Sequence, residues 1–309
     1  MELSEYNDLL PTLPREEQRA FQTWFVEHQE LVSWETFKSQ GYRHQVAVKE
    51  DIEKHILEVT GEPQQLKLAF MPTTMARTSP FFVMGKQEMK DRPVYQDLII
   101  ENAWGRITIS GPKLSIYDES VLLALLVLTR KNKTDDFKTN FSELCELMGN
   151  ARGKNTYAAI AAALKRLTKA TIDTELYKLD SAKKEVSRSI IGHIVDEADL
   201  ESDGGKIRVR LNPSFLTIYA ANLTTSLDVA ERAKIKGDTA KAAYRFIKTH
   251  NPGTVPFGLL TLCHGLNLSV EQPLAEIRKQ IKAALAELKR SGHLQSWRVD
   301  KTDRVFLTK

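Results

Sequence analysis

Between Glu271 and Arg290 the apolar residues Leu274, Ile277, Ile281, Leu285 and Leu288 recur at three- and four-residue steps, which predicts a helix with one buried stripe. The other side carries Gln272, Glu276, Lys279, Ala283, Ala286 and Arg290, with Lys282 on the flank. Small and basic residues together leave room for a duplex backbone. Ser291-Gly292 stops the helix. Two short alternating runs follow, Gln295 to Val299 and Arg304 to Thr308, around a turn at Asp300 to Asp303. A helix leading into a tight basic hairpin is the sequence pattern of a winged helix. On its own the stretch also suits an amphipathic helix and surface hairpin in another α+β domain.

The same order occurs earlier in the chain. Asp118 is placed to cap a helix over Glu119 to Lys131, Phe141 to Gly149 reads as a second helix, and residues 154 to 170 as a third with Tyr157, Ile160, Leu164 and Leu167 on one face. Three runs rich in β-branched residues come next, Thr171 to Leu179, Ser187 to Val195 and Lys206 to Leu211. The second half has a helix near Thr239 to Thr249, then Phe257 to Gly265, then the helix and hairpin described first. Phe141, Leu144 and Gly149 align without a gap on Phe257, Leu260 and Gly265, and Leu164-Lys-Arg166 echoes Leu288-Lys-Arg290. The predicted fold class is α+β: tandem winged-helix domains over residues 96–222 and 223–309, preceded by a small helical N-terminal module. Strand-like runs at Gln96 to Asn102 and Trp104 to Ser110 form a hairpin at the edge of the first.

Residues 1–64 read as that acidic helical module, with Phe21, Trp24 and Phe25 on one helix side, and Gly61-Glu-Pro63 closes it. Residues 65–95 read as a linker with prolines at 72, 80 and 93. Within it Gln65, Leu66, Leu68 and Phe70 have the layout of short peptides that dock on the bacterial sliding clamp. There a Gln amide bonds at the rim of a groove while Leu and Phe side chains fill an apolar pocket. The plain alternative is an edge strand or the extended start of a linker.

Charge changes the picture in one respect. Residues 1–70 hold 7 Lys and Arg against 13 Asp and Glu, whereas residues 71–309 hold 37 against 27. An acidic end and a basic remainder point to different partners, nucleic acid among them. The cysteines, Cys145 and Cys263, lie in apolar helical patterns and read as buried thiols of a cytoplasmic protein. The longest apolar run, Val121 to Leu128, is far short of the roughly 20 residues that span a bilayer. No membrane or export role is expected.

Catalytic patterns are missing. Gly149 to Asn155 has three residues between its glycines and Asn155 where a phosphate-binding loop needs Ser or Thr. The seven histidines include no His-x-His pair, Cys263-His264 has no zinc spacing with Cys145, and Gly-x-Ser-x-Gly does not occur. No enzyme activity, cofactor or metal is expected. A nuclease or recombinase would need a carboxylate cluster assembled in space.

A winged helix lays its third helix in the major groove and its hairpin along the backbone. The candidate DNA contacts are therefore Gln272, Glu276, Lys279 and Lys282 on the C-terminal third helix and Arg298, Lys301 and Arg304 on its wing. Gln pairs with adenine, Lys donates to guanine and Glu accepts from cytosine. In the N-terminal copy the candidates are Arg152, Lys154, Asn155, Lys165, Arg166 and Lys169, beside outward alanines at 158, 159 and 162.

From about residue 76 to 309 the chain resembles plasmid replication initiators of the TrfA type. The landmarks are Ala76-Arg77-Thr-Ser-Pro-Phe-Phe82, Asp118-Glu119, Phe141-Ser-Glu-Leu-Cys145, Phe246-Ile-Lys-Thr-His250 and Glu287-Leu-Lys-Arg-Ser-Gly292 leading into Trp297. The resemblance implies a protein whose two winged helices bind direct repeats, called iterons, in origin DNA. It also implies help in melting adjacent DNA, recruitment of the host replicative helicase and host initiator, a clamp-binding peptide, and a non-initiating dimer that limits copy number. A winged-helix transcriptional repressor is the alternative.

Overall fold

The helix Ile116–Asn132 determines how the rest of the chain is arranged. Ile116, Val121, Leu122, Leu123, Ala124, Leu125, Val127 and Leu128 are all buried, so apolar surface faces outward on nearly every side of it. Such a helix is stable only when surrounded. In the computed structural model, which describes residues 68–101, 105–177, 186–201, 205–214, 224–250 and 256–309, elements from both halves of the chain surround it. The expected helical module over residues 1–64, and Gln65 and Leu66 of the expected docking peptide, lie outside the described residues.

In chain order the elements are β1 (Leu68–Pro72), α1 (Thr73–Arg77), β2 (Phe81–Phe82), α2 (Lys86–Lys90), β3 (Val94–Glu101), β4 (Gly105–Pro112), β5 (Leu114–Ser115), α3 (Ile116–Asn132), β6 (Asp136–Asn140), α4 (Phe141–Leu147), α5 (Lys154–Lys169), β7 (Thr171–Tyr177), β8 (Val186–His193), β9 (Val195–Leu200) and β10 (Lys206–Leu211). Then come β11 (Thr224–Asp228), α6 (Val229–Lys234), α7 (Asp238–Lys248), β12 (Phe257–Gly258), α8 (Leu259–Leu266), α9 (Leu274–Arg290), β13 (Ser296–Val299) and β14 (Arg304–Thr308).

The winged-helix module occurs twice. In the first, α3, β6, α4 and α5 lead to a three-stranded sheet of order β6-β10-β9. In the second, α7, β12, α8 and α9 lead to a sheet of order β12-β14-β13. Both sheets are antiparallel, and in both the strand between the first two helices pairs with the last strand of the wing. One element departs from expectation. Strands β7 and β8 belong to a separate four-stranded antiparallel sheet, β3-β4-β7-β8, inserted between the third helix and the wing, so only Lys206 to Leu211 of the three expected runs is a wing strand.

Helix α3 begins one turn earlier than expected. Ser115 is its N-cap, and Asp118 closes a capping box by accepting from the Ser115 backbone N–H at 2.7 Å. Asp118 is fully buried and also accepts from Ser115 Oγ at 2.9 Å, Arg92 Nη1 at 3.0 Å and Arg166 Nη2 at 2.6 Å. This one carboxylate ties the start of the first helix to the third.

Residues 68–95, expected as a linker, stitch the two modules together. Strand β1 pairs antiparallel with β11, the strand that leaves the first module, from Leu68 opposite Asp228 to Pro72 opposite Thr224. Arg77 Nη2 then donates to the Thr249 carbonyl at 2.6 Å, at the end of α7. Asn267 Nδ2 donates to the Phe81 carbonyl at 3.0 Å, and Val83 N donates back to the Asn267 carbonyl at 3.3 Å, beyond the end of α8. One hydrophobic core therefore runs from Ala69 to Val305.

Ions are buried at the same junction. Glu119 of α3 is fully buried and receives Arg245 Nη1 from α7 at 2.8 Å and Arg232 Nη2 from α6 at 3.1 Å. Arg245 Nε donates to the Ala76 carbonyl at 3.2 Å, and Arg232 Nη1 donates to Ser120 Oγ at 2.7 Å. Gly149, at φ +66°, closes the contact: a Cβ there would lie 2.7 Å from that of Ala233 in α6. The left-handed backbone and the close approach both require glycine.

Candidate nucleic-acid interface

The two third helices share four buried positions. Ile160, Ala163, Leu164 and Leu167 of α5 correspond in spacing and type to Ile281, Ala284, Leu285 and Leu288 of α9. In the second helices Leu144, Cys145 and Met148 correspond to Leu262, Cys263 and Leu266. Gly149 then corresponds to Asn267, both at positive φ. This corrects the expected repeat register, in which Phe141 matched Phe257 and Leu164 matched Leu288. Those identities were coincidental, whereas buried positions are fixed by packing. Burial pushes the Cys263 thiol up to about 11, so it is a core residue, as is Cys145.

Helix α9 presents a polar face opposite that core. Ile277, Ile281, Leu285 and Leu288 are buried as expected, but Leu274 is 40% exposed, because it is the first residue of the helix and precedes the core contact. Glu276, Lys279, Lys282, Ala283 and Ala286 are all exposed. The Lys279 side chain is 78% exposed, and its Nζ lies 3.9 Å from Glu276 Oε2, a loose surface pair. Gln272 precedes the helix: its Nε2 donates to the Ser269 carbonyl at 2.8 Å and its Oε1 accepts from Gln280 Nε2 at 3.0 Å. The amide expected to read adenine is therefore engaged with a neighbour, and Gln280 shares its place.

The wing of the second module adds cations. Arg298 and Arg304 are exposed on β13 and β14, and Lys301 is exposed in the turn between them. The Arg298 guanidinium sits 4.0 Å from the Phe306 ring centroid, a cation–π contact that keeps it near the strand. Asp300 Oδ1 folds the turn by accepting from Thr302 N at 2.9 Å, Thr302 Oγ1 at 2.8 Å and Arg304 N at 2.9 Å. These bonds hold the Asp300 carboxyl below its usual range, the Arg304 amide contributing most.

The first module carries different chemistry at matching places. Positions Lys279 and Lys282 of α9 correspond to Ala158 and Ala161 of α5, and Glu276 to Asn155, in the register set by the buried residues. Lys154, Asn155, Lys165 and Lys169 are exposed as expected, and Arg152 is exposed beside Glu146 at 3.5 Å. Arg166 is not available: its guanidinium turns inward onto Asp118, at 3.0 Å from Nε and 2.6 Å from Nη2. A buried carboxylate attracts that side chain more strongly than solvent does. On the outward face of the first wing, Arg208 is paired with Asp136 at 2.6 Å and Arg210 with Glu197 at 3.2 Å. Its charge is thus largely internally balanced.

The same position of both third helices anchors them to the first. Arg166 bonds Asp118, and Glu287 of α9 accepts the Lys236 backbone N–H at 2.7 Å, just before α7. The paired Arg290, with that amide, holds the Glu287 carboxyl down to about 2. Neither pattern nor polarity distinguishes such an anchor from a solvated charge.

Two residues of the expected docking peptide lie in the β1–β11 ribbon. Leu68 is buried in β1 against β11, so it is unavailable to a partner groove while the ribbon is intact. Phe70 is half-buried, with the Arg130 guanidinium 4.8 Å from its ring centroid. Among the described residues no helix is long and apolar enough to cross a membrane.

Residues 101–248 match the family described as "Initiator Replication protein, WH1". Among solved structures, domains 2 and 3 of RctB, as selenomethionine derivatives, align at a TM-score of 0.53 with 13% identity over 77% of this chain and 98% of theirs. A second structure of RctB domains 2–3 aligns at 0.45 with 15% identity over 64% of this chain and 78% of its own. The Pi initiator protein in complex with iteron DNA aligns at 0.46 with 14% identity, over 64% of this chain and 92% of its own. No curated protein matches the chain. The likeness to the first RctB structure is one of fold.

Proposed function

Because residues 101–248 match the initiator replication protein family, we propose that this chain initiates plasmid replication by binding direct repeats in origin DNA through its two winged helices. The observation that carries the proposal is the exposed Lys279–Lys282 face of α9, backed by core and flanked by Arg298, Lys301 and Arg304. That is the arrangement in which a third helix enters the major groove while a wing follows the phosphates. In the first module Lys154, Asn155, Lys165 and Lys169 of α5 supply the second contact. Two modules joined by a ribbon bind adjacent grooves at high effective concentration.

The finer steps belong to the same proposal and rest on the resemblance. The initiator works in the cytoplasm without catalytic activity or cofactor, and DNA opening draws on the binding energy of several bound copies. Bound copies recruit the host helicase and host initiator, and a dimer limits copy number. A sliding-clamp contact at residues 65–70 requires β1 to leave β11.

Footprinting on DNA flanking the reading frame tests the proposal. A ladder of protected direct repeats supports it, and protection of one operator at a promoter supports a repressor instead. In gel-shift titrations, Lys279→Ala and Lys282→Ala should each weaken repeat binding and lower the salt slope by about 0.9 per lost phosphate contact. Lys131→Ala, on an exposed lysine paired with Glu143, should change neither. Unchanged affinity in both α9 variants would remove that helix from the interface.

A further inference from the structure

On α9, Arg278 stands beside Lys279 yet does not present its guanidinium to solvent as a free charge. Its Nε donates to Asp303 Oδ1 and its Nη2 to Asp303 Oδ2, both at 2.7 Å, a two-pronged contact between the third helix and the turn of the wing. The Arg278 guanidinium holds the Asp303 carboxyl below its usual range. Asp303 also accepts the Leu259 backbone N–H on its own carbonyl at 2.8 Å, at the start of α8. Its φ of +59° is one that Asp tolerates. Second helix, third helix and wing turn thus meet at one residue. A half-exposed ion pair contributes little stability, so its effect lies in geometry. The matching position of the first module is Tyr157, whose hydroxyl lies 2.9 Å from Ser142 Oγ and whose ring stacks on Phe141 at 5.3 Å, tying third helix to second helix.

We propose that Arg278 is a positioning residue: through Asp303 it sets the wing of the second module at a fixed angle to α9, so that Lys301 and Arg304 meet the phosphates while Lys279 and Lys282 face the groove. The inference rests on the DNA-binding reading above. Fixing the wing before binding removes the cost of ordering it on the duplex.

The test is a double-mutant cycle in the full chain, titrating a labelled duplex that carries one protected repeat and a mixed-sequence duplex of equal length. Wild type must bind the repeat; if it does not, the DNA-binding reading fails and the cycle is not reached. Arg278→Ala and Asp303→Asn should each weaken repeat binding by about tenfold, and the double variant by no more than either alone. Their salt slope should match that of wild type, because no phosphate contact has been removed, whereas Lys301→Ala lowers it. Arg278→Lys should recover part of the affinity with Asp303 present and none in the Asp303→Asn background, since a point charge cannot replace the fork. Asparagine keeps the backbone of residue 303, so Asp303→Asn remains informative if Arg278→Ala folds poorly. Three results would each overturn the proposal: independent, additive losses; affinities equal to wild type; or a slope lowered by about 0.9 in Arg278→Ala, which makes Arg278 itself a phosphate contact.

Discussion

Removing the Glu119 carboxylate should be among the most destabilising single changes available in this protein. Glu119 lies fully buried between Arg245, also fully buried, and Arg232, which is 3% exposed. In Glu119→Ala both guanidinium groups keep their burial and lose the carboxylate that pairs them, with Asp238 left as a more distant charge near Arg232; Arg232 retains only Ser120 Oγ and Arg245 only the Ala76 carbonyl among the bonds described. Breaking a buried ion pair from one side costs about 3–5 kcal/mol. With a urea dependence of about 1–3 kcal/mol per molar, near the upper end for a unit of this size, the midpoint should fall by roughly 1–2 M. Glu119→Gln keeps an acceptor and should lose less. The decisive comparison is the triple replacement Glu119→Leu, Arg232→Met and Arg245→Met, which removes these three charges together, leaves Asp238 and Lys241 to balance each other, and should recover most of the loss. Urea unfolding followed by tryptophan fluorescence reads all three. A fall of only a few tenths of a molar for Glu119→Ala, the size belonging to a surface pair, would refute the reasoning. So would a triple variant weaker than the single.

Three further outcomes follow from the same structure. Glu287→Gln should lower stability at neutral pH. Because the folded carboxyl titrates at about 2 and the unfolded one at 4.5, the stabilising contribution is present above 4.5 and is lost as pH falls toward 2. The gap between wild type and variant in thermal melts should therefore close over that window; a gap independent of pH would show that the charge is not its cause. Burial brings the Lys309 ammonium down to about 8 from 10.5, so the unfolded chain binds more protons between those values and stability should rise with pH across them. Lys309→Met should flatten that rise, as followed by urea midpoints at stepped pH. Leu68→Ala should cost about 2–5 kcal/mol in a chemical melt, as for a core leucine. A variant that melts like wild type yet loses clamp binding would restore the docking-peptide reading.

The periodicity of α9 gave its buried stripe correctly apart from Leu274, because a long amphipathic helix states its face several times over. The wing of the second module was equally legible, since it is a local hairpin. Strands β6 and β12 were missed: β12 has two residues and β6 reads Asp-Phe-Lys-Thr-Asn, too short and polar to show a period. The separate sheet of β7 and β8 was missed for another reason. Its pairing with β3 and β4 is non-local, and alternation within a strand does not name its neighbour. The repeat is legible in the sequence but two residues off in the second helix, because Gly265 invites a match to Gly149. Gly265 is small for a different reason: a Cβ there would lie 2.4 Å from the Phe246 ring, and the positive-φ residue is Asn267. Arg166 and Lys165 are adjacent cations in sequence, and only the buried Asp118 separates an anchor from a contact.

The residues that carry the family resemblance meet at the framework, not on the outward faces of the third helices. Arg77 reaches Thr249, the Ala76 carbonyl receives Arg245, Asp118 holds Arg166, Glu119 holds the two buried arginines, and Glu287 anchors α9 to the start of α7. Each would be required whatever those outward faces bind. The outward positions of the third helices face no such constraint and differ even between the two modules, with Lys279 and Lys282 in one where Ala158 and Ala161 stand in the other. Likeness to the family is therefore legible without the target repeat being legible. The same contrast distinguishes the modules: the second carries exposed cations on its third helix and wing and, under the proposal above, a preset wing, suited to strong, salt-dependent attachment. The first has a wing whose arginines are already paired and a third helix smooth enough for close approach, suited to contacts that depend on shape and on the few polar groups at its ends.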